Sequence, residues 1–209
     1  MLRGLATLLA GTAFMAAAGG AAPAPGAVAN TLSPRNEDGA CAALMGLTSV
    51  KGVTVVEAIA VPESALRISD DAVVPNLPAF CRVRAISKPT PDSQIRFELW
   101  LPRATAWNEK FLSTGEGGFA GRILYGGNGT DGALDGNFRR GYGTASTDTG
   151  HDAADLHFAV GHPERGVDYL YRAKHLTTVA AKAIITAYFG RPPVRGGDPN
   201  DAASFTCRT

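Results

Sequence analysis

Lys110-Phe111-Leu112-Ser113-Thr114-Gly115-Glu116-Gly117-Gly118-Phe119-Ala120-Gly121 is the stretch on which the reading of this chain turns. Lys110 to Ser113 has the length and apolar centre of a short buried strand, and it runs directly into a glycine-rich loop. A second glycine-rich stretch covers Gly126 to Gly136. Glycine at this density marks backbone that takes unusual torsions or approaches something closely. Upstream, Ile95, Phe97, Leu99 and Leu101 alternate with Arg96, Glu98 and Trp100, the period of two expected of a strand with one buried face. Val53 to Val61 is rich in β-branched residues and Cys81 to Ile86 alternates, so both are predicted strands. Asp70, Asp71, Pro75 and Pro78 predict a loop between them. Downstream, Tyr142 to Ser146 predicts a strand that opens into the polar loop Thr147 to Asp152.

One long helix is predicted over Gly166 to Phe189. Val167, Leu170, Val179, Ala180, Ala183, Ile184 and Ala187 recur at spacings of three and four. Gly190 suits a C-terminal cap, and Pro192-Pro193 forbid continuation. Ala202 to Cys207 has the pattern of one more strand. Antiparallel strands followed by strand, loop, strand, helix, strand predict an α/β protein with a mainly parallel sheet.

The chain opens with a segment that does not read as fold. Met1 to Ala29 has one early positive charge, Arg3, then an apolar run from Leu5 to Ala18, then small residues ending in Ala27-Val28-Ala29. That is the layout of a signal peptide, expected over residues 1–29, and it implies a secreted or periplasmic protein. The run is Ala- and Gly-rich, whereas a membrane anchor needs about 20 strongly apolar residues. Residues 30–40 are polar and predicted to be loose. With 20 Lys and Arg against 19 Asp and Glu, there is no electrostatic case for a nucleic-acid or membrane-surface partner. Of the three cysteines, Cys41 and Cys81 suit a disulfide in an oxidising compartment, which leaves Cys207 unpaired.

Several patterns bear on chemistry. Gly115 to Ala120 fits G-x-G-x-x-A, with Asp135 further on, but a dinucleotide site needs a helix to start in that loop. The same loop suits a backbone N–H presented to an oxyanion, or simple turn chemistry. Asp148, His151, Asp152, Asp155, His157 and His162 crowd together. They suit a metal, a substrate cleft at the C-terminal end of a strand, or side chains that cap turns. Asn128-Gly129-Thr130 is a glycosylation sequon.

Six phrases then stand in order: Leu77-Pro78-Ala79-Phe80-Cys81-Arg82-Val83; Phe97-Glu98-Leu99-Trp100-Leu101-Pro102; Trp107-Asn108-Glu109-Lys110-Phe111-Leu112; Gly117-Gly118-Phe119-Ala120-Gly121; Ala145-Ser146-Thr147-Asp148-Thr149-Gly150-His151; and Gly161-His162-Pro163-Glu164. Together they resemble the N-terminal part of the tannase and feruloyl esterase family, from about Cys41 to Cys207. The resemblance implies the N-terminal part of an α/β-hydrolase fold over residues 41–209, with an incomplete sheet and the family's lid domain absent. It implies hydrolysis of aromatic-acid esters, such as gallate or ferulate esters, by a Ser-His-Asp mechanism. It aligns Gly118 with a glycine whose N–H forms half of an oxyanion hole, and it puts Asp148 and His151 near the cleft. Glu109 stands where the family commonly has glycine. Cys207 matches the cysteine of the nucleophile elbow, and Arg208 stands where the nucleophilic serine is expected. The triad is then absent, so a truncated, inactive ester hydrolase is expected; a non-catalytic secreted binding module is the alternative. No cofactor or metal is expected in these residues, because the family's structural calcium site belongs to the lid.

Overall fold

The computed structural model describes residues 36–70, 72–115, 117–126 and 133–197. Its centre is a six-stranded mixed sheet. The strands are β1 (Val53–Val61), β4 (Phe80–Ser87), β5 (Ile95–Pro102), β6 (Lys110–Ser113), β7 (Gly143–Thr147) and β8 (Arg195–Gly197), in spatial order β1-β4-β5-β7-β6-β8. The β1–β4, β4–β5 and β5–β7 pairs are antiparallel, while β7–β6 and β6–β8 are parallel. The expected parallel core is therefore confined to three strands, and antiparallel pairing is in the majority among the described strands. The fold class, α/β, stands.

The β-branched stretch Val53–Val61 is a strand over its predicted length. The stretch between it and β4 departs from the predicted loop. Ser64–Arg67 (β2) and Val73–Leu77 (β3) form a separate two-stranded hairpin. Pro75 sits within β3, which is possible because a two-stranded hairpin has an outer edge with no ladder donor to lose. The hairpin lies on one face of the large sheet, where Leu66, Val74 and Leu77 pack with Phe80, Trp100, Leu134 and Phe138. Leu134 and Phe138 come from the short helix α2 (Leu134–Phe138).

The opposite face is covered by two helices. Helix α1 (Glu37–Ala43) and a following 3₁₀ turn (Leu44–Gly46) cross β1 and β4. The expectation of a loose segment over residues 30–40 is thus corrected at its end. Glu37 is buried and accepts hydrogen bonds from the Ala104 N–H at 2.8 Å and the Arg103 guanidinium at 3.2 Å. The Cys41–Cys81 disulfide ties the same helix to β4.

The predicted long helix is present, with one interruption. It runs as α3 (Pro163–Val167), a π-helical turn (Asp168–Arg172) and α4 (Ala173–Phe189). Gly190 ends it in the left-handed conformation at φ 72°, its N–H donating to the Thr186 carbonyl. The predicted apolar face is partly wrong. Ala173, Thr177, Ala180, Ala181, Ile184 and Tyr188 are the buried stripe, whereas Leu170 is 74% and Val179 45% exposed. The π turn adds a residue to the helical repeat and shifts the phase, so a single 3.6-residue period drawn across it mixes two faces.

Strand β5 is buried on both faces instead of one. Phe97, Leu99 and Leu101 join the core beneath α4, while Trp100 joins the cluster beneath the hairpin. Glu98 is fully buried and acts as a hub. It accepts from Arg82 Nε at 2.6 Å and Nη2 at 3.0 Å, from Trp100 Nε1 at 2.7 Å and from the Tyr125 hydroxyl at 2.9 Å. Burial and this carboxylate together raise the Tyr125 pKa and keep the phenol protonated. The strand predicted over Ala202 to Cys207 lies outside the described residues. The strand that follows the long helix and pairs with β6 is β8.

Candidate functional site

Strands β6 and β7 are parallel neighbours, so their C-terminal ends open on the same edge of the sheet. The chain passes from β6 to β7 on one side and then back over β6 to β8 on the other. Ligands of α/β sheets sit outside the strand ends where connections diverge in this way. Two loops meet there: residues 114–126 after β6 and residues 148–162 after β7.

The first loop leaves β6 under tight control. Both the N–H and the hydroxyl of Thr114 donate to the Ala145 carbonyl, at 2.7 and 3.0 Å. Gly118 then takes φ 63°, and a Cβ built there would meet nothing within 4 Å. Its side-chain position faces open space, so conformation and not crowding calls for glycine. Ala120 is also left-handed, at φ 51°. Gly121 differs: a Cβ there would lie 2.4 Å from the Ala153 nitrogen, whose N–H donates to the Gly121 carbonyl at 3.0 Å. The two loops touch backbone to backbone at this point.

The second loop is built by its own carboxylates. Asp148 is buried and accepts from the Arg96 N–H at 2.9 Å, the Gly150 N–H at 2.8 Å and the Arg96 guanidinium at 3.1 Å. Burial pushes its carboxyl above the ordinary range, against the pull of these donors. Asp152 and Asp155 accept from the Ala154 and His157 N–H groups, two residues on in each case. His162 reaches Asp92 at 2.8 Å. Among the described residues no three His, Cys, Asp or Glu side chains converge on a metal position. Asp152 and Asp155 thus serve turn chemistry, while His151 faces a cavity. The dinucleotide reading also lapses, since α2 starts only at Leu134, well beyond the loop.

His151 is buried, with Nδ1 3.2 Å from the Thr149 hydroxyl and with no partner for Nε2 among the described residues. Its ring stacks on Phe158 at 3.8 Å and meets Tyr169 edge-on at 5.5 Å. Thr149 holds φ 56°, a strained conformation for a β-branched residue. A cleft of about 260 Å³ is lined by Gly115, Gly118, Ala120, Thr147, Thr149, Tyr169, Leu170 and Lys174. Beside it, about 230 Å³ is bordered by Gln94, Arg96, His151, Asp152, Phe158 and Arg165.

Gly118 therefore lies on the cleft and His151 on the adjoining cavity, with Tyr169 between them. Asp148 lies inside its loop and lines neither cavity. Cys207 and Arg208 fall outside the described residues. Sequence patterning did not single out Tyr169, Lys174 or Thr149. Tyr169 and Lys174 are five apart, a spacing that points to different faces of a regular helix, and only the π turn brings them to one side.

A glycine-rich loop following a parallel strand, and facing the next loop across a cleft, is a layout that α/β hydrolases use for their oxyanion loop. A profile described as tannase and feruloyl esterase matches residues 81–196, more than half of the chain. The chain belongs to the tannase and feruloyl esterase family. An uncharacterized esterase of Xanthomonas campestris pv. campestris is 41% identical over 169 residues, covering 80% of this chain and 28% of that protein. A probable feruloyl esterase B-2 of Aspergillus flavus is 32% identical over 112 residues, covering 54% and 20%. Among solved structures, feruloyl esterase B from Aspergillus oryzae superposes with a TM-score of 0.67 at 23% identity, covering 78% of this chain and 31% of that one. The chain thus spans less than a third of the length of the relatives it matches.

Proposed function

We propose that this chain forms the oxyanion-binding half of an exported serine ester hydrolase acting on esters of aromatic acids. The observation that carries the reading is Gly118. It holds a positive φ in the loop after β6, borders the cleft, and has open space on its side-chain face. A backbone N–H in that place suits the negative charge that develops on an ester carbonyl oxygen during acyl transfer. The substrate class rests on family membership and on the names of the relatives. Export rests on the signal-like residues 1–29, and the Cys41–Cys81 bridge agrees with an oxidising compartment. Among the described residues no helix is long and apolar enough to cross a membrane.

Acyl transfer needs a nucleophile, a base and an orienting acid. The 209 residues contain no Gly-x-Ser-x-Gly elbow. Without the nucleophile no acyl-enzyme forms, whatever the state of the oxyanion site. Methyl ferulate and methyl gallate hydrolysis by the purified 209-residue chain should stay at the buffer rate. A chain that continues from β8 into a serine elbow should turn over, and replacing the Gly118 backbone N–H with an ester oxygen in it, by semisynthesis, should lower kcat roughly 10²–10³-fold. Turnover by the 209-residue chain alone, or full kcat in the chain that lacks the Gly118 N–H, contradicts the reading.

A further inference from the structure

We propose that Tyr169 and Lys174 are positioning residues that clamp the glycine-rich loop and fix the direction of the Gly118 N–H. The proposal rests on Gly118 as the oxyanion donor and adds the device that holds it. The Tyr169 hydroxyl donates to the Gly118 carbonyl at 2.9 Å. Lys174 Nζ donates to the Thr114 carbonyl at 2.6 Å and lies 3.4 Å from the Ser113 hydroxyl. The two side chains grip the loop at its root and at its functional glycine. Gly118 has free φ and ψ choices that a side chain would otherwise restrict, so an outside contact has to select one.

The helix is built for this grip. In a regular α-helix, residues five apart are rotated by roughly 140° and face different ways. A π turn closes after five residues and brings them into line. The turn at Asp168–Arg172 does this for Tyr169 and Lys174. It is itself held by a partly buried network. Fully buried Asp168 accepts from Arg172 Nε, and Arg172 also donates to Glu164 Oε2 at 2.7 Å, to the Glu164 carbonyl at 2.9 Å and to the Ser93 hydroxyl at 3.2 Å. π turns recur at functional sites in helices, and here the local reason is geometric. The Tyr169 ring adds contacts to Phe119 at 6.3 Å, Phe158 at 5.5 Å and His151 at 5.5 Å, so it joins both loops.

Tyr169→Phe removes the hydroxyl and keeps the ring contacts. Lys174→Met removes the charge and keeps the stem, and Lys174→Arg retains a donor. Nitrogen-15 relaxation on the 209-residue chain reads the outcome without needing turnover, so an inactive chain does not affect it. In the wild type the Gly118 and Phe119 amides should have order parameters near the rigid value of about 0.85. In Tyr169→Phe they should fall below about 0.6 while β5 and β7 and the urea midpoint stay unchanged. Lys174→Met should loosen Gly115 in the same way, and Lys174→Arg should restore it. A Gly118 amide equally ordered in Tyr169→Phe, already mobile in the wild type, or loosened only together with the whole sheet overturns the proposal.

Discussion

Glu109 occupies the left-handed region at φ 64°, in the turn that leads into β6. A non-glycine residue there costs roughly 1–2 kcal/mol of backbone strain. Its carboxylate pairs with Arg191 at 2.6 Å, but both side chains are well exposed and such pairs contribute little. Glycine would relieve the strain and lose some of that gain to the entropy of the unfolded chain. Glu109→Gly should therefore stabilise the fold by about 0.5–1 kcal/mol, read as a higher urea midpoint at unchanged slope. The departure from glycine was visible in the Trp107-Asn108-Glu109 phrase, while the reason for it, a positive φ, is a property of the folded backbone alone. The glycine-rich loop around Gly118 was legible in a similar way, while its positive φ and its place on the cleft come from the folded chain. His151 was legible as a residue near the cleft, but its stacking on Phe158 and its contact with Tyr169 depend on elements brought together from different parts of the chain.

At the scale of elements, the loops after β6 and β7 form one unit through Gly121. Its φ of 79° and the 2.4 Å approach of a built Cβ to the Ala153 nitrogen leave no room for a methyl group. Gly121→Ala should force the loops apart and destabilise by at least about 2 kcal/mol. Hydrogen exchange should show the Ala153 amide, which donates to the Gly121 carbonyl, losing protection first. Elements whose pattern reflects one environment were readable from their residues. β1 and β6 fall where β-branched and apolar runs placed them. Elements shaped by a partner were not. The alternation in β5 suggested a solvated face, but Glu98 and Trp100 are covered by the hairpin and α2, and Arg82 compensates the carboxylate. The hairpin was hidden because Pro75 signals a break in most strands and is tolerated only at an edge. Leu170 was misread because no periodic rule anticipates a π turn, and Val179 was misread within the regular α4, where Thr177 and Ala181 take the buried positions instead.

For the molecule as a whole, the Cys41–Cys81 bridge spans a sequence separation of 40 residues and fastens α1 across the sheet. The chain-entropy account assigns a loop of that length about 3–4 kcal/mol. Replacing both cysteines with serine should lower stability by that order. The wild type under reductant should match the double variant, and urea midpoints with and without dithiothreitol check both. The bridge closes the N-terminal, antiparallel half of the sheet, which is also the half made from local pairings such as β4–β5. The parallel half has no such fastening among the described residues.

That contrast has a consequence for how the chain is made. Lys110 pairs with Arg195, so the outer edge of β6 waits for 195 − 110 = 85 further residues before its neighbour exists. At ribosomal speeds this is roughly 4–17 s during which the Phe111 and Leu112 stretch has no partner for its outer edge. A short, glycine-bearing β8 then supplies a weak seal. Nascent chains paused between β7 and β8 should therefore be the ones that holding chaperones bind longest.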